Sequence, residues 1–249
     1  MSRLLVIPAA GLGTRLRSSR PKALVPINGR PMLDHLADLY AAYVDYSVIV
    51  AHPSFAEQVE AWADEAGYCE VVLQPSPTGM LDAILLAAPA VMRLRPDSIW
   101  ITWCDQVGVL PETVRHLADV SSPEPPPALA FPTVDRRHPY IHFPRDADGR
   151  IASVLHRREG DPMPDEGESD IGLFALSRAT FDRDLHEYAS EVAPGRSTGE
   201  RNFLPFIPWL SRRQPIVTFP CTDPMEAVGI NTPEELQQVE EWLRRRVTS

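Results

Sequence analysis

Short apolar runs alternate along this chain with stretches whose apolar residues fall three and four positions apart. The first pattern is that of buried strands and the second that of helices with one apolar face. In the first half, strands are expected at 4–7, 46–51, 70–73 and 98–104. Helices are expected at 32–43, at 55–66 with Ser54 as cap, at 80–92, and from Leu110 onward. Such alternation predicts an α/β fold around a largely parallel sheet.

The second half is less regular. Proline-dense residues 120–127 read as a stiff surface loop, followed by a short strand at 128–132. Residues 139–143 are expected to pair with 151–156 across the turn at Asp148-Gly149. An acidic loop at 166–170 precedes a strand at 171–176, a helical pattern at 178–188 and a late strand at 216–219. The last helix spans 233–247, with Thr232 as cap and Pro233 in its first turn.

Composition narrows the function classes. With 44% hydrophobic and 23% charged residues, the 249-residue chain has the balance of a globular protein, and its length suffices for one α/β domain or two small ones, a single domain, 1–249, being the expectation. A net charge of −10 argues against a nucleic-acid partner, so a polyanionic ligand must be met by local cations or a metal ion. No apolar stretch approaches the roughly 20 residues of a membrane span, and the start resembles no secretory leader. Cys69, Cys104 and Cys221 lie far apart, which predicts reduced thiols, no structural zinc and a cytoplasmic location.

Three places carry candidate chemistry. After the first strand, Ala9, Ala10, Gly11, Leu12, Gly13 and Thr14 form a small-residue loop followed by Arg15 and Lys22. Glycines there let backbone N–H groups approach an anion, Arg15 can fork onto phosphate oxygens, and Lys22 supplies a point charge. Leu16 stands where a dinucleotide fingerprint needs its third glycine, and no Gly-Lys-Ser/Thr follows. The plain alternative is an ordinary strand-to-helix turn. Second, Gln74, Thr78 and Gly79 lie in a proline-stiffened loop where a glutamine amide suits a pyrimidine edge. Third, Asp105 ends a buried strand, where a hard oxygen suits Mg²⁺. The alternative role of helix cap is weakened by Pro111-Glu112, which already supplies a helix start. Asp146-Ala-Asp148 falls at a hairpin tip and is rejected as a metal site.

Gly11-Leu-Gly-Thr-Arg15-Leu, Pro21-Lys22 and Gly29-Arg-Pro31-Met together resemble the signature of the sugar-phosphate nucleotidylyltransferases. The short gap before Pro21-Lys22 is most similar to the N-acetylglucosamine-1-phosphate uridylyltransferases. Gln74-Pro-Ser-Pro-x-Gly79 is closer in wording to the glucose-1-phosphate thymidylyltransferases.

The resemblance implies a Rossmann-like three-layer nucleotide-diphospho-sugar transferase fold, with a mostly parallel mixed sheet and a small sugar-side β subregion. Residues 1–120 would form the nucleotide half and 121–249 the sugar-phosphate half. The implied reaction joins an NTP, UTP or dTTP, to a sugar 1-phosphate and releases pyrophosphate, with Arg15, Lys22 and Asp105 catalytic. Mg²⁺ would be held by Asp105 and Asn231, and sugar-side contacts carry over to Tyr140, His156, Asp170, Gly172 and Glu200. Several positions depart from the family pattern: Cys104 replaces a glycine, Pro139-Tyr-Ile-His replaces Gly-Tyr-Gly-Arg, His156 a glutamate and Asp170 an asparagine. These leave open a cytidylyltransferase acting on phosphocholine or another non-sugar phosphate. A non-catalytic nucleotide-binding subunit is the other alternative, opposed by the joint presence of Arg15, Lys22, Asp105 and Asn231. Hexapeptide repeats are absent, so a single activity is expected.

Overall fold

The structure is a computed structural model describing residues 1–11, 13–16 and 18–247. The expected loop residue Leu12 and the side chain of Thr14 lie outside what is described. In chain order the first half comprises β1 (Arg3–Ala9), a ribbon of β2 (Pro26–Ile27) and β3 (Arg30–Pro31), α1 (Met32–Tyr40), β4 (Tyr46–Ala51), α2 (Ala56–Ala66), β5 (Cys69–Leu73), α3 (Met80–Leu85), α4 (Ala88–Leu94), β6 (Ser98–Thr102) and α5 (Pro111–Val120). The second half comprises β7 (Leu129–Arg137), β8 (Ile141–His142), β9 (Leu155–His156), β10 (Glu166–Asp170), β11 (Leu173–Ser177), α6 (His186–Glu191), α7 (Phe206–Ser211), β12 (Ile216–Pro220) and α8 (Pro233–Val247).

The main sheet runs β5-β4-β1-β6-β11-β7-β12, with β10 also pairing along β7. Strands β5, β4, β1 and β6 are parallel, and β11 is antiparallel to both β6 and β7. Strand alternation divides the core into two. Leu5 and Ile7 of β1 face a cluster with Leu33, Leu36, Val59, Val114, Leu117 and Val239, from α1, α2, α5 and α8. Leu4 and Val6 face the other side with Leu81, Ile84, Val91, Phe206 and Leu210, from α3, α4 and α7. Helices thus cover both faces, and burying each such Leu, Ile or Val contributes roughly 1.5–3 kcal/mol.

Several elements differ from the pattern-based expectation. Residues 80–92 form two helices, because Pro89 has no N–H to continue the ladder and sits instead in the first turn of α4. Ser54 does not cap α2: it lies inside a 3-10 turn, Pro53–Phe55, capped by His52, whose Nδ1 accepts from the Ser54 N–H at 3.1 Å, and α2 starts after Phe55 with no side-chain cap. The acidic segment 166–170 is strand β10 and not a loop: Glu166 and Glu168 pair with Arg137 and Arg145, so charge on this strand is neutralised without breaking the ladder. Its partner β7 accordingly extends to Arg137, beyond the short strand expected at 128–132. Residues 180–185 form a widened π-helical turn ahead of α6.

The expected hairpin is present as β8 and β9, with Ile141 opposite His156. At its tip, Asp146 Oδ1 accepts from the Asp148 and Arg150 N–H groups at 3.0 and 2.9 Å, which is turn chemistry. Where β10 passes into β11, the chain advances from Asp170 opposite Thr133 to Ala175 opposite Ala130, five residues against three. The two extra residues make a bulge beside the carboxyl end of β6.

Candidate active site

The carboxyl ends of β1 and β6, the β10–β11 bulge and the approach to α8 converge on one cleft. Beyond β1 the loop bends through Gly13, at φ +59°, where the Leu16 N–H closes a turn onto the Gly13 carbonyl at 2.9 Å. A Cβ at Gly13 would stand 3.1 Å from the Lys22 Cβ, so this glycine lets the lysine stem lie against the loop. Gly11 and Arg15 are exposed.

Lys22 joins the distant parts of the chain. Its Nζ donates to Asp105 Oδ2 and, at 2.8 Å, to Asn231 Oδ1, which also accepts from Arg15 Nη2 at 3.0 Å. The Lys22 and Asp105 side chains are each only 12% exposed, so this is a desolvated ion pair and removing either partner strands the other. The two segments carrying the oxygens are tied together, with the Ile230 N–H donating to the Asp105 carbonyl at 3.2 Å. Asn231 is oriented by its own loop: Nδ2 donates to the Gly229 carbonyl at 3.1 Å, which turns Oδ1 toward the two cations. Glu235 Oε2 accepts from the Asn231 and Thr232 N–H groups at 2.7 and 2.9 Å, while Thr232 Oγ1 accepts from the Glu235 N–H at 3.2 Å. This capping box makes Thr232 the expected cap of α8 and fixes Asn231 just ahead of it. Burial pushes the neighbouring Cys104 thiol up to about 12, leaving it an inert packing group.

The loop from Gln74 to Gly79 is self-bonded. Gln74 is buried, and its amide donates to Thr78 Oγ1 at 3.2 Å and the Gly79 carbonyl at 3.1 Å, so these donors shape the loop. Gly79, at φ +120°, has no space for a Cβ because the Arg201 backbone crosses it. There the Arg201 N–H donates to the Thr78 carbonyl at 2.7 Å, the Leu81 N–H donates to the Arg201 carbonyl at 3.1 Å, and the guanidinium pairs with Asp82.

That crossing segment also leads to the side chains expected on the sugar side. Glu200 pairs with Arg158 at 3.3 Å, and the Tyr140 and His156 rings meet edge-on at 5.2 Å. Burial raises the Tyr140 pKa against the lowering effect of the Arg158 and Arg15 charges. Burial also lowers the His156 pKa, favouring a neutral ring. Glu159 is held down to about 2 by hydrogen bonds from the Thr198 hydroxyl (2.6 Å) and the Ser197 N–H (2.9 Å), with Asn202 adding a third at 3.2 Å. At the bulge, burial pushes Asp170 up to about 6 while the Gly172 N–H donates to it at 2.9 Å. Gly172, at φ +74°, packs directly on Trp103 and Gln106, where a Cβ would clash.

The description MobA-like NTP transferase domain fits residues 5–167, well over half of the chain. This chain belongs to the MobA-like NTP transferases. Among curated relatives, the bifunctional protein GlmU of Halorhodospira halophila is 31% identical over 248 residues, 97% of this chain and 49% of the relative. The bifunctional protein GlmU of Thermodesulfovibrio yellowstonii is 28% identical over 247 residues, 98% of this chain and 52% of the relative. The chain therefore spans about half the length of the curated relatives it matches. A Bacillus anthracis protein assigned as a glucose-1-phosphate thymidylyltransferase and crystallised with sucrose shares the fold, with a TM-score of 0.75 at 15% identity over 98% of this chain and 96% of that one. The sheet order is thus that of the nucleotide-diphospho-sugar transferase fold.

For this NTP transferase, a Mg²⁺ ion suits the donor set. A carboxylate oxygen and an amide oxygen that meet one ammonium nitrogen are hard donors able to share a cation, and Mg²⁺ keeps its remaining positions for water and phosphate. Among the described residues no three His, Cys, Asp or Glu side chains cluster as a self-sufficient metal cage. No helix among them is long and apolar enough to cross a membrane. Sequence reading passed over Arg158, Glu159 and Arg201. Arg201 follows directly on Glu200, and that adjacency was its one signal in the sequence.

Proposed function

We propose that this NTP transferase joins a pyrimidine nucleoside triphosphate, UTP or dTTP, to a sugar 1-phosphate, giving an NDP-sugar and pyrophosphate. The observation that carries the reading is the convergence of Lys22, Arg15, Asp105 and Asn231 on one point beside the glycine loop. Family membership and the names of the relatives support it.

The chemistry needs no side-chain nucleophile. The acceptor phosphate is already an ionised oxygen; it forms the new P–O bond at the α-phosphorus while the bond to pyrophosphate breaks on the opposite side. Positioning and charge neutralisation are what remain for the protein to supply. The loop backbone from Ala9 to Gly13 and the Arg15 guanidinium hold the β- and γ-phosphates. Lys22 offsets charge at the reacting phosphates, and Asp105 with Asn231 would hold Mg²⁺, which supplies Lewis-acid neutralisation of the phosphate oxygens. Gln74, Thr78 and Gly79 form the base side; Tyr140, His156, Asp170, Gly172 and Glu200 form the acceptor side, with Arg158 bringing a further cation to that rim. A cytoplasmic setting matches these substrates.

A panel of NTPs combined with several sugar 1-phosphates and with phosphocholine tests the assignment, read as pyrophosphate release and as product mass. The expected result is an NDP-sugar from UTP or dTTP. Turnover only with CTP and phosphocholine, or none with any pair, would overturn it.

A further inference from the structure

The Lys22 ammonium occupies the point between the two oxygens assigned above to a metal. It bonds Asp105 Oδ2 and Asn231 Oδ1, while Arg15 Nη2 shares the latter oxygen. Asp105 is buried and its charge is already balanced by a cation tethered through its own chain, at no translational cost. A divalent ion arriving alone must therefore break the bonds of that ammonium to Asp105 and Asn231. A nucleotide changes this balance, because its triphosphate offers Lys22 and Arg15 new anionic partners and adds oxygen ligands for the ion.

We infer that Lys22 is a built-in stand-in for the metal, which keeps the site closed to divalent ions until a nucleotide's phosphates draw the lysine away. The inference rests on the metal assignment made above. Metal and nucleotide then strengthen each other's binding by the same factor, since coupling between two ligands is reciprocal. The consequence is selectivity for the metal–nucleotide pair over either alone, produced by one side chain that serves the free and loaded states with different anions.

The test uses Mn²⁺ as the probe, its binding read from water-proton relaxation, with and without a non-hydrolysable UTP analogue and with circular dichroism to confirm folding. Wild type should bind Mn²⁺ alone weakly and gain strongly from the analogue. Lys22→Met should bind Mn²⁺ alone about tenfold tighter than wild type, with the gain from the analogue reduced by a similar factor, the remainder coming from the phosphate oxygens themselves. Lys22→Gln, which keeps a donor toward Asn231 but no charge, should behave alike. No tightening in either variant, or tightening in Met alone, would overturn the stand-in role. Adding Asp105→Asn to Lys22→Met should abolish the tightened binding. If Asp105→Asn alters Mn²⁺ binding in no background, the metal assignment itself fails, which is a distinguishable result.

Discussion

The two walls of the cleft are built on opposite principles. On the nucleotide wall, Lys22 reaches Asp105 and Asn231, 83 and 209 residues away, through a nearly dry pair whose side chains are 12% exposed. On the acceptor wall, Tyr140 and His156 ride a short ribbon, and the Arg158 and Glu200 side chains that complete the rim are 55% and 27% exposed. Buried charges cannot be replaced by water when a partner is lost, whereas exposed ones can. The nucleotide wall is therefore intolerant of change, and the acceptor wall is where identity can drift. Of the departures from the family pattern, those at Pro139, Ile141, His142, His156 and Asp170 lie on the second wall or its bulge, and Cys104, buried beside Asp105, is the one on the first.

Four substitutions probe that contrast, in falling order of effect. Asp105→Ala should lower pyrophosphate formation on the order of 10³-fold and remove its saturable response to Mg²⁺. A variant that still titrates normally with the metal would show that another acid holds it. Lys22→Ala should cost about 10²-fold in rate, the scale of one preorganised electrostatic group, and unchanged turnover would remove the lysine from the chemistry. Arg158→Ala should raise the acceptor KM about fivefold or less while leaving the nucleotide KM unchanged, in keeping with an exposed pair. A loss as large as that of Lys22 would mean the two walls are equally stringent.

The smallest effect concerns stability. Asp170 has its pKa raised from 3.8 to about 6 by burial, so the folded state holds its proton to higher pH than the unfolded chain does. Its contribution is thus present below pH 4 and is lost as pH rises through about 6. Asp170→Asn should gain melting temperature relative to wild type at pH 8 but not at pH 4, by a few degrees at most. An equal offset at both pH values would show that Asp170 titrates as an ordinary exposed acid.

Part of the first wall has local signals in the sequence: glycines after an apolar strand and an acid at a strand end. Asn231 entered through the family resemblance alone, since nothing local links it to Asp105, and the fold brings both to Lys22. The acceptor wall was less legible. Strand β10 is acidic and reads as a loop, because the β7 ladder that pairs it and the arginines that balance its charge, Arg137 and Arg145, lie outside its own window of sequence. The bulge that seats Asp170 and Gly172 against Trp103 depends on a two-residue difference between strands, which is a tertiary property. Gln74 was rightly placed in a loop, but its donors proved to be committed to Thr78 and Gly79.

The central claim is that one divalent ion is shared by the carboxylate of residue 105 and the amide of residue 231. The most direct measurement is a double-mutant cycle on the Mg²⁺ concentration that half-activates pyrophosphate formation, using Asp105→Asn, Asn231→Ala and the pair. Groups that share an ion must couple, so the account predicts that the double variant is scarcely worse than the poorer single variant. Effects that simply add would show that the two residues act independently, and the shared ion would have to be abandoned.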